Sequence, residues 1–271
     1  MSSWMIALIL NLILIFTRLD ACEFNSQVKS VYSLSAPVTE ILSQFSLLKK
    51  PEVKAISIFH PVRVSDFSGE ILPGGIFLGH EVLAKMKGSI VFYDESFELK
   101  KMFTLNPDIT PIEIKTRNLT PPQVLSEVEL KLGPHVKGCD WKKTQKLMQE
   151  KLKRISTLIV KHPYILLFLG HPQGKKWPAT LMVNDGIVKW LKEKKLVKTF
   201  PSQLSYVQWS SKMMGEVPTN HLKVGIKDSG RGFDTKIEKL SDGIKLTYPG
   251  ALVPGYGQVD GLIYLFENLK I

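Results

Sequence analysis

The stretch "DWKKTQKLMQEKLKRISTLIVK", Asp140 to Lys161, decides how this chain folds. It holds neither Gly nor Pro, and Trp141, Met148, Leu152, Ile155 and Ile159 recur at intervals of seven, four, three and four. That is the single apolar stripe of an amphipathic helix, with Lys, Arg, Gln and Glu filling the other face. At about 1.5 Å of rise per residue the helix is on the order of 30 Å long, enough to run the length of a domain. His162-Pro163 stops it, because the residue before a proline is pushed out of the α region.

Outside this helix the pattern is strand alternating with helix. Before it, "SVYSL" from Ser30, "VKAISIF" from Val53, "GSIVFYD" from Gly88 and "PIEIKT" from Pro111 read as strands. "ESFELKKMFTL" from Glu95 and "PPQVLSEVELKL" from Pro121 read as helices. After it, "YILLFLGH" from Tyr164, "LKVGIKD" from Leu222 and "IKLTYPG" from Ile244 are strand-like, and "DGIVKWLKEKKL" from Asp185 and "QVDGLIYLFENL" from Gln258 are helical. Such alternation builds mostly parallel sheets covered by helices. The expected fold is therefore α/β: two lobes with mostly parallel sheets, residues 22–137 and 163–271, bridged by one long helix within 138–162. No Gly-, Ser- or Pro-rich linker separates them, so the lobes are expected to move little against each other.

With 271 residues, 44% of them hydrophobic, the chain is long and apolar enough for real cores, which excludes a disordered protein. Lys plus Arg number 36 against 25 Asp plus Glu, a net charge of +11 that suits an anionic ligand or a phosphate-rich surface. The lysines are scattered over many predicted helices, and no RNP, zinc-knuckle or helix-turn-helix signature accompanies them, so nucleic acid is not an expected partner.

Residues 1–21 read as a signal peptide. "MIALILNLILIF", Met5 to Phe16, matches an apolar signal core and falls short of the roughly 20 residues that span a bilayer. The expected location is the periplasm or the outer face of a membrane. The following "LDAC", Leu19 to Cys22, resembles the lipobox of bacterial lipoproteins, although Asp20 departs from the usual small or apolar residue. Two readings stay open: a lipidated Cys22, giving a membrane contact through the lipid anchor, or ordinary cleavage after Ala21. In the second, Cys22 and the only other cysteine, Cys139, are available to pair.

The stretch "SVYSLSAPVTEIL", Ser30 to Leu42, marks a site. A strand there ends in Ser35-Ala36-Pro37 before a helical pattern begins, which sets backbone N–H groups and a hydroxyl at the carboxyl edge of a sheet. Open α/β proteins hold ligands at such edges.

From Ser30 onward the chain resembles the helical-backbone solute-binding proteins of ABC importers, the group that binds cobalamin, haem and ferric siderophores. The residues that carry the resemblance are "SLSAPVTEIL", "GGIFLGHEVLAKMKGSIVFYD", the uninterrupted central helix, "ILLFLG" and "PGYGQVDGLIYL". The resemblance implies a ligand cleft between the lobes, closed by strand-end loops from both. Its ligand residues would be Ser35, Pro37, His60, Gly75, Tyr93, Asp94, His171, Trp177, Tyr248 and Tyr256, with no resident cofactor. Aromatic rings on such loops offer large contact area to a flat macrocycle or catecholate at little entropic cost. It also implies an ABC permease as partner, docked through one surface Glu per lobe. Glu81 matches the first of these; in "QLSYVQW" the second position holds Val207. The family's late Pro-Gly-Pro-Arg-like turn is here Pro254-Gly255-Tyr256-Gly257, without the Arg.

Two rival readings follow from the same residues. A related group of receptors binds Zn²⁺ or Mn²⁺ at these loops, and His60, His171 and Asp94 offer imidazole and carboxylate ligands. An enzyme on a chelatase-like scaffold is the other. Against it, there is no Gly-x-Ser-x-Gly elbow, "GGIFLG" lacks the Lys-Ser/Thr of a P-loop, and His80-Glu81 lacks the second His of a zincin, so no catalytic residue is expected.

Overall fold

A computed structural model describes residues 22–58, 67–72, 78–159, 165–170, 180–182, 185–197, 206–208, 222–229, 234–241 and 243–269. The leader, the His162-Pro163 stop, and the site candidates His60, Gly75, His171 and Trp177 lie outside these residues.

The first lobe begins with β1 (Glu23–Phe24), β2 (Val31–Ser33), helix α1 (Ala36–Gln44), β3 (Val53–Ser57) and β4 (Glu70–Leu72). It continues through α2 (His80–Lys85), β5 (Ile90–Asp94), α3 (Phe97–Thr104), β6 (Thr110–Ile114) and α4 (Pro121–Leu132), and β7 (Val136–Lys137) returns to pair with β1. The main sheet, in order β4-β3-β2-β5-β6, is parallel throughout. Parallel strands are covered on both faces, and successive side chains alternate between two cores. Val31 and Phe92 point to the side of α1 and α4; Tyr32, Val91 and Tyr93 point to the side of α2 and α3. Helix α4 starts with a capping box in which Thr120 and Gln123 satisfy each other's orphan groups, and Pro121 occupies the first turn, where no N–H is missed.

Helix α5 (Trp141–Ile159) is the predicted bridge. Asp140 caps it, accepting the Lys143 N–H at 2.8 Å. It buries Thr144, Met148, Leu152, Ile155 and Ile159, so the stripe is the expected one except at its start. There Thr144, four residues before Met148, takes the inward position, and Trp141 sits half-buried at the edge, its ring 4.9 Å from that of Phe45. The buried stripe packs against α4 of the first lobe and the last helix of the second. One continuous core thus runs from lobe to lobe through α5. Each fully buried aliphatic side chain in it contributes about 1.5–3 kcal/mol.

The second lobe consists of β8 (Ile165–Leu169), β9 (Thr180–Met182), α6 (Gly186–Glu193), β10 (Tyr206–Gln208), β11 (Leu222–Asp228), β12 (Lys236–Leu240), β13 (Gly243–Tyr248) and α7 (Tyr256–Asn268). Its sheet, ordered β10-β9-β8-β11-β13-β12, is parallel only at its centre, β8-β11-β13. Strands β9, β10 and β12 flank this centre as antiparallel strands, while over the two main sheets together most pairings are parallel, as expected of the α/β fold. For β12 and β13 the reason is connection length: only Ser241 and Asp242 separate the paired Leu240 and Gly243, far too few for a crossover.

Candidate functional site

At the carboxyl edge of the first sheet, α1 starts directly after β2 with Ser35 as N-cap in an extended conformation. Its hydroxyl does not cap its own helix. It donates instead to Asp94 Oδ1 at 2.6 Å, and the Ala36 N–H, in the first turn, donates to Asp94 Oδ2 at 3.4 Å. The Asp94 carboxylate, from the end of β5, therefore caps α1 from a neighbouring strand and lies at the positive end of the helix. Burial pushes its pKa up to about 6, against the pull of the Ser35 and Ala36 hydrogen bonds. Thr39 donates to Ser33 Oγ at 2.7 Å and Ser33 to the Ser35 carbonyl at 3.1 Å, which satisfies the buried polar groups around it. Ser35 and Asp94, both predicted site residues, are thus brought together, and the helix end that an anion would seek already holds the chain's own carboxylate.

Pro37 and Tyr256 meet elsewhere, where the lobes join. The carboxylate of Glu40, on α1, accepts the backbone N–H of Tyr256 at 3.1 Å and so caps α7 of the other lobe. Gly255, the N-cap of α7, has φ +115°, open to glycine, and brings no capping side chain. Gly257 lies so close to Gly250 that a Cβ would come within 2.2 Å of the Gly250 carbonyl oxygen. The Tyr256 ring is 2% exposed and its hydroxyl donates to the Thr144 carbonyl on α5. Lys151 of α5 stands 5.5 Å from the centre of that ring and pairs with Asp260. Burial, then the nearby Asp260, pushes the Glu40 pKa up to about 8, while the Tyr256 N–H and Lys151 pull it down. Burial and the same two acids push the Tyr256 phenol up. The space left among Pro37, Glu40, Val124, Met148 and Gly255 is ≈ 10 Å³, room for about one water and for no ligand. Pro37 and Tyr256 hence lie at the lobe junction, where the Tyr256 ring and hydroxyl are engaged in packing and in the bond to α5.

Tyr93 is buried as well. Strand alternation turns it beneath α3, 4% exposed, with its ring 5.0 Å from Phe103, so its apolar area is taken up by packing. Tyr248, at the end of β13, is half-buried against Tyr264 at 5.4 Å. Beside it Asp228, ending β11, accepts the Gly250 N–H at 2.9 Å and orders the turn that leads to α7. Glu81 is exposed in the first turn of α2. Cys22 is joined to Cys139 in a disulfide. A sulfur in that bond cannot also carry a thioether-linked lipid, so of the two readings of Cys22 the structure holds the pairing. A groove of ≈ 370 Å³ lined by Cys22, Phe45, Asp140, Lys143 and Leu147 lies at this end of α5, away from the strand ends.

Sequence reading missed Glu40, Asp260, Lys151 and the buried pair in which Gln258 donates to Asp185 at 2.6 Å. A signal for Glu40 existed: it is the one acid among Val38, Ile41 and Leu42, on a helix that must be mostly buried.

Comparison with known proteins bears on the fold. No family model and no curated protein matches the sequence. Among solved structures the chain is similar to the periplasmic heme-binding protein HutB of Vibrio cholerae, at 17% identity and a TM-score of 0.60 over 91% of this chain and 100% of that one. It is also similar to DesE, a ferric-siderophore receptor of Streptomyces coelicolor, at 11% identity and 0.58 over 91% and 94%. The siderophore-binding protein FhuD of Vibrio cholerae, in its Fe³⁺-Desferal complex, matches at 10% and 0.58 over 89% and 98%. The chain thus has the two-lobed, helix-bridged α/β fold of periplasmic solute-binding proteins.

Proposed function

We propose that this protein is an extracytoplasmic solute-binding protein of an ABC importer, which captures haem, a ferric siderophore or a corrinoid between its lobes and delivers it to a permease. The observation that carries the reading is the architecture: two α/β lobes joined through α5, with parallel strands of each ending at the Ser35–Asp94 edge and the Asp228–Tyr248 edge. Open α/β sheets bind ligands outside their carboxyl ends, and such ends on two lobes define a cleft. The solved structures of like fold belong to binding proteins for haem and siderophore chelates, which supports a role in capture without turnover. Export through the apolar leader places the protein on the side of the membrane where a permease collects its cargo. Exposed Glu81 on α2 is the docking acid of the first lobe in this reading.

The test is a titration of the purified protein with haem, cobalamin and several ferric siderophores, followed by tryptophan quenching with Trp177 as the reporter. Saturable quenching by at least one of them, weakened in Trp177→Ala, is the expected result. If none binds while Zn²⁺ or Mn²⁺ raises the melting temperature, and His60→Ala abolishes that rise, the protein is a metal-ion receptor instead.

A further inference from the structure

We infer, resting on the solute-binding reading above, that Phe97 and Ile58 form the first lobe's apolar contact with the cargo, and that the cargo is a chelate with an uncharged hydrocarbon or ring face. A compact polyanionic chelate is excluded by the same arrangement. Among the described residues five large apolar side chains are exposed: Ile58, Phe97, Leu105, Leu130 and Leu147. Two of them stand at the carboxyl edge of the first sheet. Ile58 directly follows β3, and Phe97 opens α3, three residues beyond the end of β5 at Asp94. Strands β3 and β5 are the two neighbours of β2, so these residues flank the Ser35 junction from either side. With neighbouring strands about 4.8 Å apart, the two strand ends are separated by about 10 Å. Phe97 is 77% exposed and Ile58 46%, at the edge where a cleft-bound ligand would cover them.

Both side chains are carried by ordered backbone. The Ile58 N–H donates to the Leu72 carbonyl at 2.9 Å and so extends the β3–β4 pairing. Helix α3 is anchored by the buried Leu99 and Phe103, and Ser96 caps it by accepting the Leu99 N–H at 3.3 Å. Phe97, about 200° around the helix from Leu99, faces away from that core. Its Cα–Cβ bond tilts toward the start of α3, which leans the ring over the sheet edge. A ring with two rotors on a fixed helix end loses little entropy when a ligand covers it. The polar surroundings define what that ligand is. The end of α1, where an anionic group would otherwise seat, is filled by the Asp94 carboxylate through the Ser35 hydroxyl and the Ala36 N–H. Glu95 and Glu98, on either side of Phe97, are exposed acids. Lys115 and Arg117 follow β6, the outermost strand, on the side of β5 away from Ser35. A dense anion at this edge would have to displace Asp94 and face two more carboxylates, whereas a hydrocarbon face meets neither cost. The net charge of +11 draws anions from a distance, but groups in contact decide what stays.

The experiment is a set of fluorescence titrations of the purified protein with haem, cobalamin, a ferric trihydroxamate such as ferrioxamine, and ferric citrate, the last being compact, polyanionic and without a hydrocarbon face. Saturable binding of at least one of the first three, and none of ferric citrate, is expected. For the chelate that binds, Phe97→Ala should weaken affinity by about 10- to 100-fold and Ile58→Ala by about threefold or more. Phe97→Trp, which keeps a ring at the edge, should stay within about threefold of the parent. Leu105→Ala and Leu130→Ala remove exposed apolar surface elsewhere and should leave affinity unchanged. Equal melting temperatures show that the variants fold, as expected for side chains outside both cores. Unchanged affinity in Phe97→Ala overturns the inference and leaves the solute-binding reading standing. Ferric citrate bound as tightly as any other chelate does the same. Binding of none of the four overturns the solute-binding reading, and the inference with it.

Discussion

Glu40 and Tyr256 are 216 residues apart in sequence, and the carboxylate of one caps the helix that begins at the other. The bond joins the first helix of one lobe to the last helix of the other, beside Lys151 and Asp260 of the bridging core. Asp94 caps α1 by the same device. Two helices whose own N-cap residues provide no capping bond are each completed by an acid from another element.

Glu40 should make the protein less stable as pH rises. Its folded pKa of about 8 lies above the value of 4.5 it takes when unfolded, so the folded state binds the extra proton. Stability from this group is full below about 4.5 and is lost progressively as pH climbs to about 8. Glu40→Gln keeps a carbonyl acceptor for the Tyr256 N–H but cannot ionise. Urea titrations should find the variant close to the parent at pH 5 and more stable at pH 8.5, by on the order of 1.4 kcal/mol for each pH unit over which the parent declines. A parent curve unchanged between those pH values, or a variant weaker at both, would count against it.

Asp94 has the same sign over a lower range, from 3.8 to about 6. Removing the Ser35 hydroxyl takes away a bond that favours the carboxylate, so Ser35→Ala should raise the Asp94 pKa further and cost about 1–2 kcal/mol of stability above pH 7. Carboxyl carbon NMR titration reads the first effect. A double-mutant cycle of Ser35→Ala with Asp94→Asn reads the coupling, expected to exceed about 0.5 kcal/mol.

The Cys22–Cys139 bond closes a long loop, with a sequence separation of 117 residues. Loops near that length are worth up to about 4.7 kcal/mol in the chain-entropy account. Cys139→Ser should therefore unfold at clearly lower denaturant, and the parent should titrate no free thiol until reduced. Intact mass with a lipid adduct on Cys22 would contradict this.

Gly257→Ala should be among the most damaging small substitutions, because the added methyl group meets the Gly250 carbonyl backbone at 2.2 Å and one of the two segments must shift. Gly133→Ala should be neutral or stabilising by up to about 1 kcal/mol: Gly133 has helical φ and ψ of −49° and −43°, and nothing lies within 4 Å of the added carbon. Thermal melts of the two variants should move in clearly different amounts, with Gly257→Ala falling by several degrees.

The sequence by itself determined the elements whose cause is local and periodic. The stripe from Met148 to Ile159 specifies α5, and the apolar runs from Val31, Val53, Ile90 and Ile165 specify strands, because burial of one face repeats at the period of the backbone. The strand-to-helix junction at Ser35 was legible for the same reason. Tertiary structure alone decided what the side chains there do. Whether Tyr93 faces a ligand or Phe103 depends on which face of the sheet α3 covers, and whether Ser35 caps its own helix depends on Asp94, 59 residues away. The antiparallel flanks of the second sheet, the Cys22–Cys139 pairing and the Glu40–Tyr256 bond likewise join segments whose proximity no local pattern encodes.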